Sequence, residues 1–317
     1  MTGSGQQLYM LSFDHRGSFK HGLMGIPGEP TEDERRGISA FKMLIYEGFL
    51  RAIAHGAPRA SCAVLVDEEF GAGIARSARR ASFTLAMPVE RSGQDAFDFE
   101  YAAQFGEHVQ AYDPDYAKVL VRYNPDGDAE RNRRQTERLV RLSRWLRTHN
   151  RKFLFELLVP ATASQLAQAG GDLGDYDREL RPALVVRAMA RLQDAGVEPT
   201  IWKIEGLETP QDCERVATQA RAGGRDGTSC VVLGRGENLD RVAHWLRQAA
   251  PVGGYIGFAV GRSIWLEALS EHLAGRLGKD AAIDRIAADY RRMIDVYTSA
   301  AAGASPVRER PARLDTQ

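Results

Sequence analysis

Eight short apolar segments, many of them β-branched, recur along the chain at 8–13, 61–66, 84–89, 116–121, 152–159, 199–204, 228–233 and 254–260. Between most of them the apolar residues fall at helical spacing. The clearest stretch is 128–150, where Leu139, Leu142, Trp145 and Leu146 share one face and arginines occupy the other. Stretches 176–195, 209–222, 238–249 and 280–300 read the same way. Thr209-Pro210 is a cap followed by proline at the first helical position, and Gly223-Gly224 closes that helix. Strands alternating with helices pair in parallel. Eight such units in 317 residues predict an α/β fold, the closed (β/α)8 TIM barrel, whose usual size is roughly 250 residues plus insertions. The alternative is an open doubly wound sheet. Its nucleotide-binding form is disfavoured, because Phe13-Asp14-His15-Arg16-Gly17 stands where the dinucleotide glycine fingerprint would be. One barrel domain is expected over 8–302, between a polar lead at 1–7 and a tail at 303–317 expected to be disordered.

Composition narrows the partners. Formal net charge is zero, so neither nucleic acid nor an anionic membrane is an expected partner. No apolar run approaches the roughly 20 residues of a membrane span, and the N-terminus does not read as a signal peptide. Cys62, Cys213 and Cys230 are too far apart for a disulfide framework or metal spacing, which fits a reducing cytoplasm. The seven histidines form no paired-ligand spacing, so no metal and no other cofactor is expected. A homo-oligomer is compatible with the sequence.

Lys203 lies in Thr200-Ile201-Trp202-Lys203-Ile204-Glu205-Gly206, where strand alternation puts Ile201, Lys203 and Glu205 on one face. Burial disfavours an ammonium and is one way a protein makes a nucleophilic amine; a salt bridge to Glu205 is the plainer alternative. Glu156 sits inside Phe153-Leu154-Phe155-Glu156-Leu157-Leu158-Val159, where a carboxylate must be paired or protonated, and it is placed to face Lys203 from the neighbouring strand. In a barrel enzyme the active site lies at the C-terminal strand ends. Asp14 and Arg16, Glu90-Arg91, and Lys118 with Arg122 fall there. Asp14 has a plainer reading as a cap or a partner of Arg16, and Asp67-Glu68-Glu69 reads as a solvated loop or a scaffold for its neighbours.

The last two strands end in Gly234-Arg235-Gly236 and Gly261-Arg262-Ser263, each ahead of a helix. Glycine lets backbone approach a ligand, helix N-termini favour phosphate, and arginine adds charge-assisted bonds. An inward lysine, carboxylates and an anion site together suit carbonyl chemistry through an imine, with a protonated carboxyl at Glu156 or Glu205 as part of that reading.

Several strings resemble the class I aldolase family that contains tagatose-1,6-bisphosphate aldolase: Phe13-Asp14-His15-Arg16-Gly17, Val66-Asp67-Glu68-Glu69-Phe70-Gly71, Trp202-Lys203-Ile204-Glu205 and Gly261-Arg262-Ser263-Ile264-Trp265. Val119-Leu120-Val121-Arg122-Tyr123-Asn124-Pro125-Asp126-Gly127-Asp128 and Phe155-Glu156-Leu157-Leu158-Val159-Pro160-Ala161-Thr162 are closer to its branch acting on 2-deoxy-5-keto-gluconate 6-phosphate. The resemblance covers roughly residues 8 to 300. It implies Lys203 as the imine lysine, Glu156 as acid/base partner, and Asp14 and Lys118 as polar active-site groups. It puts Gly234, Arg235, Gly261 and Arg262 in the phosphate region; Gly236, ahead of the next helix, and Glu205 are further candidate substrate-binding residues. The implied partner is a small sugar phosphate, cleaved to dihydroxyacetone phosphate and malonate semialdehyde. Arg16, Arg122 and Arg91 are candidates for the carboxylate end. Another ketose phosphate, or a sugar-phosphate binder without catalysis, are the alternatives.

Overall fold

A computed structural model describes residues 6–303. Eight parallel strands close in sequence order: β1 (Leu8–Ser12), β2 (Cys62–Leu65), β3 (Thr84–Pro88), β4 (Tyr116–Arg122), β5 (Lys152–Leu158), β6 (Ile201–Glu205), β7 (Ser229–Leu233) and β8 (Tyr255–Val260), with β8 returning to pair with β1. The helices are α1 (Glu32–Ala54), α2 (Glu68–Arg80), α3 (Phe105–Tyr112), α4 (Ala129–Thr148), α5 (Ala163–Gln168), the single turn α6 (Leu173–Asp175), α7 (Arg181–Asp194), α8 (Pro210–Arg221), α9 (Leu239–Ala249), α10 (Arg262–Leu273) and α11 (Lys279–Gly303). The expected (β/α)8 barrel is therefore the fold. Every strand starts and ends within two residues of its apolar run. The lead at 1–5 and the tail from 304 lie outside the described residues.

Local chemistry sets the helix ends. Thr31 and Glu34 form a reciprocal capping box at α1, and Thr209 accepts from the Asp212 amide ahead of Pro210. The expected single helix over 176–195 divides. Residues 176–180 form a wide π-type turn, and the α-helix begins at Arg181. Pro182 is the cause, since it has no N–H to continue an α-helical ladder from the preceding turn.

The strands separate two apolar layers. Leu8, Met10, Leu65, Leu154, Ile201 and Ala259 belong to a small cluster inside the barrel, whereas Tyr9, Leu11, Phe155, Trp202 and Ile204 pack in the layer under the helices. Strict alternation then fixes what stands above the inner floor: Ser12 and Asp14 over Met10, Glu156 over Leu154, and Lys203 and Glu205 over Ile201. Helix α11 seals the outside of β1 and β8, where Tyr290 Oη donates to the Tyr9 carbonyl (2.6 Å) and Tyr297 Oη to the Tyr255 carbonyl (2.9 Å).

One buried ion pair aims the loop after β1. Lys42 of α1 donates to the carbonyls of Phe13 (2.8 Å) and His15 (3.2 Å) and to the Asp67 carboxylate. Asp67 in turn caps α2 by accepting from the Phe70 amide at 2.9 Å. The scaffold reading of Asp67 is thus the observed geometry, and Asp14 lies between the two tethered carbonyls. Lys42 and Asp67 are fully buried, so removing one charge strands the other. Lys42→Met should cost about 3–5 kcal/mol in urea unfolding; an unchanged midpoint would contradict this role for the pair.

Candidate active site

Above the apolar floor Asp14, Glu90, Lys118, Glu156 and Lys203 come together, all of them buried. Lys118 Nζ lies 2.8 Å from Asp14 Oδ2, 2.7 Å from Glu90 Oε1 and 3.1 Å from Glu156 Oε2. Strands β1 and β4 are not neighbours, so the Lys118–Asp14 bond spans the barrel interior. Lys203 Nζ donates to the same Glu156 oxygen at 3.0 Å, and the two residues are register partners across β5 and β6. Glu156 Oε2 is therefore shared by both lysines.

Three carboxyl groups face two amines in a site that excludes most water. Burial alone would raise Asp14; Lys118, His15 and Lys203 outweigh it and hold Asp14 well below the usual carboxylate range. Burial also opposes ionisation of Glu156, but Lys118 and Lys203 bring its pKa below the ordinary value. Burial works against the Lys118 ammonium, yet Asp14, Glu156 and Glu90 keep its pKa well above normal. Glu90 differs: burial, joined by Asp14, raises it despite Lys118. The carboxyl whose pKa rises is thus Glu90, whereas that of Glu156, read from sequence as a possible protonated carboxyl, falls. Glu156 Oε2 touches two amines; Glu90 meets one, and its Oε2 is buried without a hydrogen-bond partner. Glu205, the other expected proton holder, accepts from the Val159 amide at 3.0 Å and lies 3.2 Å from Arg235 Nε.

A cavity of about 570 Å³ opens over Lys203 and Glu156 and reaches Gly234, Arg235, Gly261 and Arg262. Its walls carry unused donors. Arg262 Nε, Arg181 Nη1 and the Ser12 hydroxyl are buried and unpartnered. Helix α10 begins at Arg262 with no side-chain cap; the Ile264 amide donates to the Gly261 carbonyl at 2.8 Å, which leaves the Arg262 and Ser263 amides for an anion. Two glycines make room. A Cβ on Gly261 would lie 2.3 Å from the Ser12 carbonyl oxygen, and one on Gly236 (φ +82°) 2.9 Å from the Arg262 guanidinium. Arg235, also left-handed at φ +53°, is tied to Asp177 (2.5 Å) and Glu205, and its carbonyl accepts from Arg262 Nη2 at 3.1 Å. The donor set suits a phosphate beside Arg262.

The other predicted residues divide. Arg16 is buried and bonded to Glu100 Oε2 (2.6 Å) and the Glu90 carbonyl (2.6 Å), so it braces the loop after β3; the Asp14–Arg16 pairing considered from sequence does not form. Arg122 lines the cavity and is exposed. Glu90, His15 and Arg181 were not singled out from sequence as site residues. Glu90 falls at the strand-end face expected for an active site but carries no role from sequence, and Arg181 reads as an ordinary helical charge. His15 was seen near the mouth: it lines the cavity edge-on to Trp265, ring centroids 5.6 Å apart.

The family model described as "Uncharacterized protein conserved in bacteria (DUF2090)" matches residues 2–301. No curated protein sequence matches the chain. Among solved structures, a Plasmodium falciparum fructose-bisphosphate aldolase superposes with a TM-score of 0.60 at 14% identity, over 93% of this chain and 92% of that one. Cgl0159 of Corynebacterium glutamicum gives 0.56 at 19% identity, over 92% and 87%. A Schiff base forming fructose-1,6-bisphosphate aldolase gives 0.54 at 13% identity, over 92% and 94%. At these identities the likeness shows the shared barrel fold.

Burial, with Lys203 and Arg262 adding to it, pushes the His15 imidazole down to about 4 against the pull of Asp14. Between that value and the ordinary 6.5 the unfolded chain binds a proton that the folded chain does not, so stability falls as pH drops through this window. Denaturant titrations at pH 6.5 and 4 should show a smaller loss for His15→Gln than for the parent protein. Equal losses would place the imidazole in a solvent-like setting.

Proposed function

This chain belongs to the DUF2090 family, and we propose that it is a Schiff-base aldolase that cleaves 2-deoxy-5-keto-D-gluconate 6-phosphate to dihydroxyacetone phosphate and malonate semialdehyde. The observation that carries the reading is Lys203, buried at the mouth of a closed barrel with its Nζ 3.0 Å from Glu156 and an uncapped helix N-terminus across the same cavity. The aldolase barrels among the structural neighbours and the sequence resemblance support it.

In this reading the phosphate binds the α10 amides with Arg262, which sets the ketone carbon at Lys203. Lys203 passes a proton to Glu156 Oε2, attacks the ketone and, with loss of water, forms a protonated imine. A base then takes the proton of the hydroxyl β to the imine. The carbon–carbon bond breaks, its electron pair flows toward the imine nitrogen, and the aldehyde leaves. Protonation of the enamine carbon and addition of water release dihydroxyacetone phosphate and restore the lysine. Lys118 lowers the pKa of Asp14 and Glu156, which serve as bases, while Glu90, raised by burial, serves as the acid. That division gives base and acid separate environments, which lets one site run both transfers near neutral pH.

Release of dihydroxyacetone phosphate is read by a coupled assay. Lys203→Met should remove turnover while leaving the fold intact; near-normal activity would end the imine mechanism. Arg262→Ala should raise KM for the phosphorylated ketose by roughly 10- to 100-fold, the worth of a charge-assisted contact. An unchanged KM would move the phosphate elsewhere. Turnover of tagatose 1,6-bisphosphate but not of the keto acid would assign a different ketose phosphate to the same machinery.

A further inference from the structure

A second cavity of about 250 Å³ adjoins the first and is lined by Asp14, Arg16, Glu90, Arg91, Ser92, Gln94, Lys118, Arg122 and Glu156. The two share His15, Ser18, Leu120, Arg122 and Glu156, so Glu156 stands at the junction and Arg122 is the arginine common to both. A ligand whose ketone meets Lys203 and whose phosphate meets Arg262 has its remaining chain directed past Glu156 into this second space.

The cations around that space differ in what they have left to give. Lys118 is surrounded by Asp14, Glu90 and Glu156. Arg16 gives Nη1 to Glu100 and Nη2 to the Glu90 carbonyl, which with the Ser92 amide to Glu100 Oε2 (3.3 Å) ties down the 89–104 loop and leaves Arg16 only its buried Nε, whereas Arg122 keeps most of its fork. Arg122 stands at the end of β4, one inward step above Leu120, the register partner of Glu156. Among the described residues its side chain makes one hydrogen bond, Nη1 to the Gln94 carbonyl at 3.1 Å, which orients the guanidinium and leaves its other donors unused. Arg91 is exposed on the loop itself and has no such tether.

We propose that Arg122, oriented by the Gln94 carbonyl, is the specificity residue that binds the carboxylate of the departing aldehyde fragment in the second cavity. This rests on the aldolase reading above. The reach is consistent with it. Strand β4 lies two strand spacings, roughly 10 Å, from β6. Two long side chains and the roughly 5 Å of substrate chain between imine carbon and carboxylate span that gap. The carboxylate also enters a region holding three acidic side chains, so without an unspent cation it would be repelled. Arg122 therefore selects for a charged end as well as binding it.

The test is condensation, the reverse reaction, of dihydroxyacetone phosphate with malonate semialdehyde and with propanal, its uncharged three-carbon counterpart. The readout is the ratio of kcat/KM for the two aldehydes. Arg122→Met should lower the ratio by about 10- to 100-fold. Arg122→Lys, which keeps the charge but loses the planar fork, should fall between, and Arg91→Ala should keep the parent ratio. An unchanged ratio in Arg122→Met, or a collapse in Arg91→Ala alone, overturns the assignment. If the parent protein joins neither aldehyde, the aldolase reading fails instead. The subsite is then judged by calorimetric binding of malonate, expected to be at least about tenfold weaker in Arg122→Met; equal affinities would overturn it.

Discussion

The upper barrel is organised around a single oxygen, Glu156 Oε2, which accepts from Lys203 at 3.0 Å and lies 3.1 Å from Lys118. Taking these charges from water is expensive, and an ion pair in such a place is weak evidence of stability. The cluster persists because each charge has a partner and the surrounding shell fixes the geometry. Asp14 arrives on a loop tethered by Lys42, and Glu90 on a loop braced by Arg16. Loss of either tether would leave Lys118 short of a counter-charge. Chemistry and scaffold are thus coupled through two buried cations, Lys42 and Arg16.

The site separates its tasks in space. In the proposed reaction phosphate recognition would fall to the start of α10 and to Arg262, on the β7–β8 side. Proton handling would fall to the β1–β5 side, where Lys118 lowers the pKa of Asp14 and Glu156 while burial raises that of Glu90. Lys203 stands between them. Binding energy gathered at the phosphate can therefore orient the ketone without being spent at the reacting bond, as differential binding requires.

Much of this could be read from the chain. Alternating apolar runs and helical stretches specify a closed parallel barrel, because each strand must bury one face on the floor and the other under helices. Glu156 and Lys203 stand out because charged residues inside apolar strands need a reason. What local pattern could not show are contacts between distant elements. Lys118 and Asp14 are 104 residues apart and meet only because the barrel closes. Lys42 looks like any charge on a long helix until its turn faces Phe13 and His15. Glu90 could be placed at the active-site end of β3, but nothing nearby in sequence reveals that burial and Asp14 raise its pKa. Arg16 stands two residues from Asp14, yet its partner is Glu100 on another loop.

The central claim is that Lys203 becomes covalently attached to a ketone. The direct measurement is borohydride reduction of the protein with dihydroxyacetone phosphate, followed by mass mapping of its peptides. The account predicts a stable adduct on the peptide carrying Lys203 and none in Lys203→Met. An adduct on Lys118 instead, or no adduct on any lysine, would contradict it.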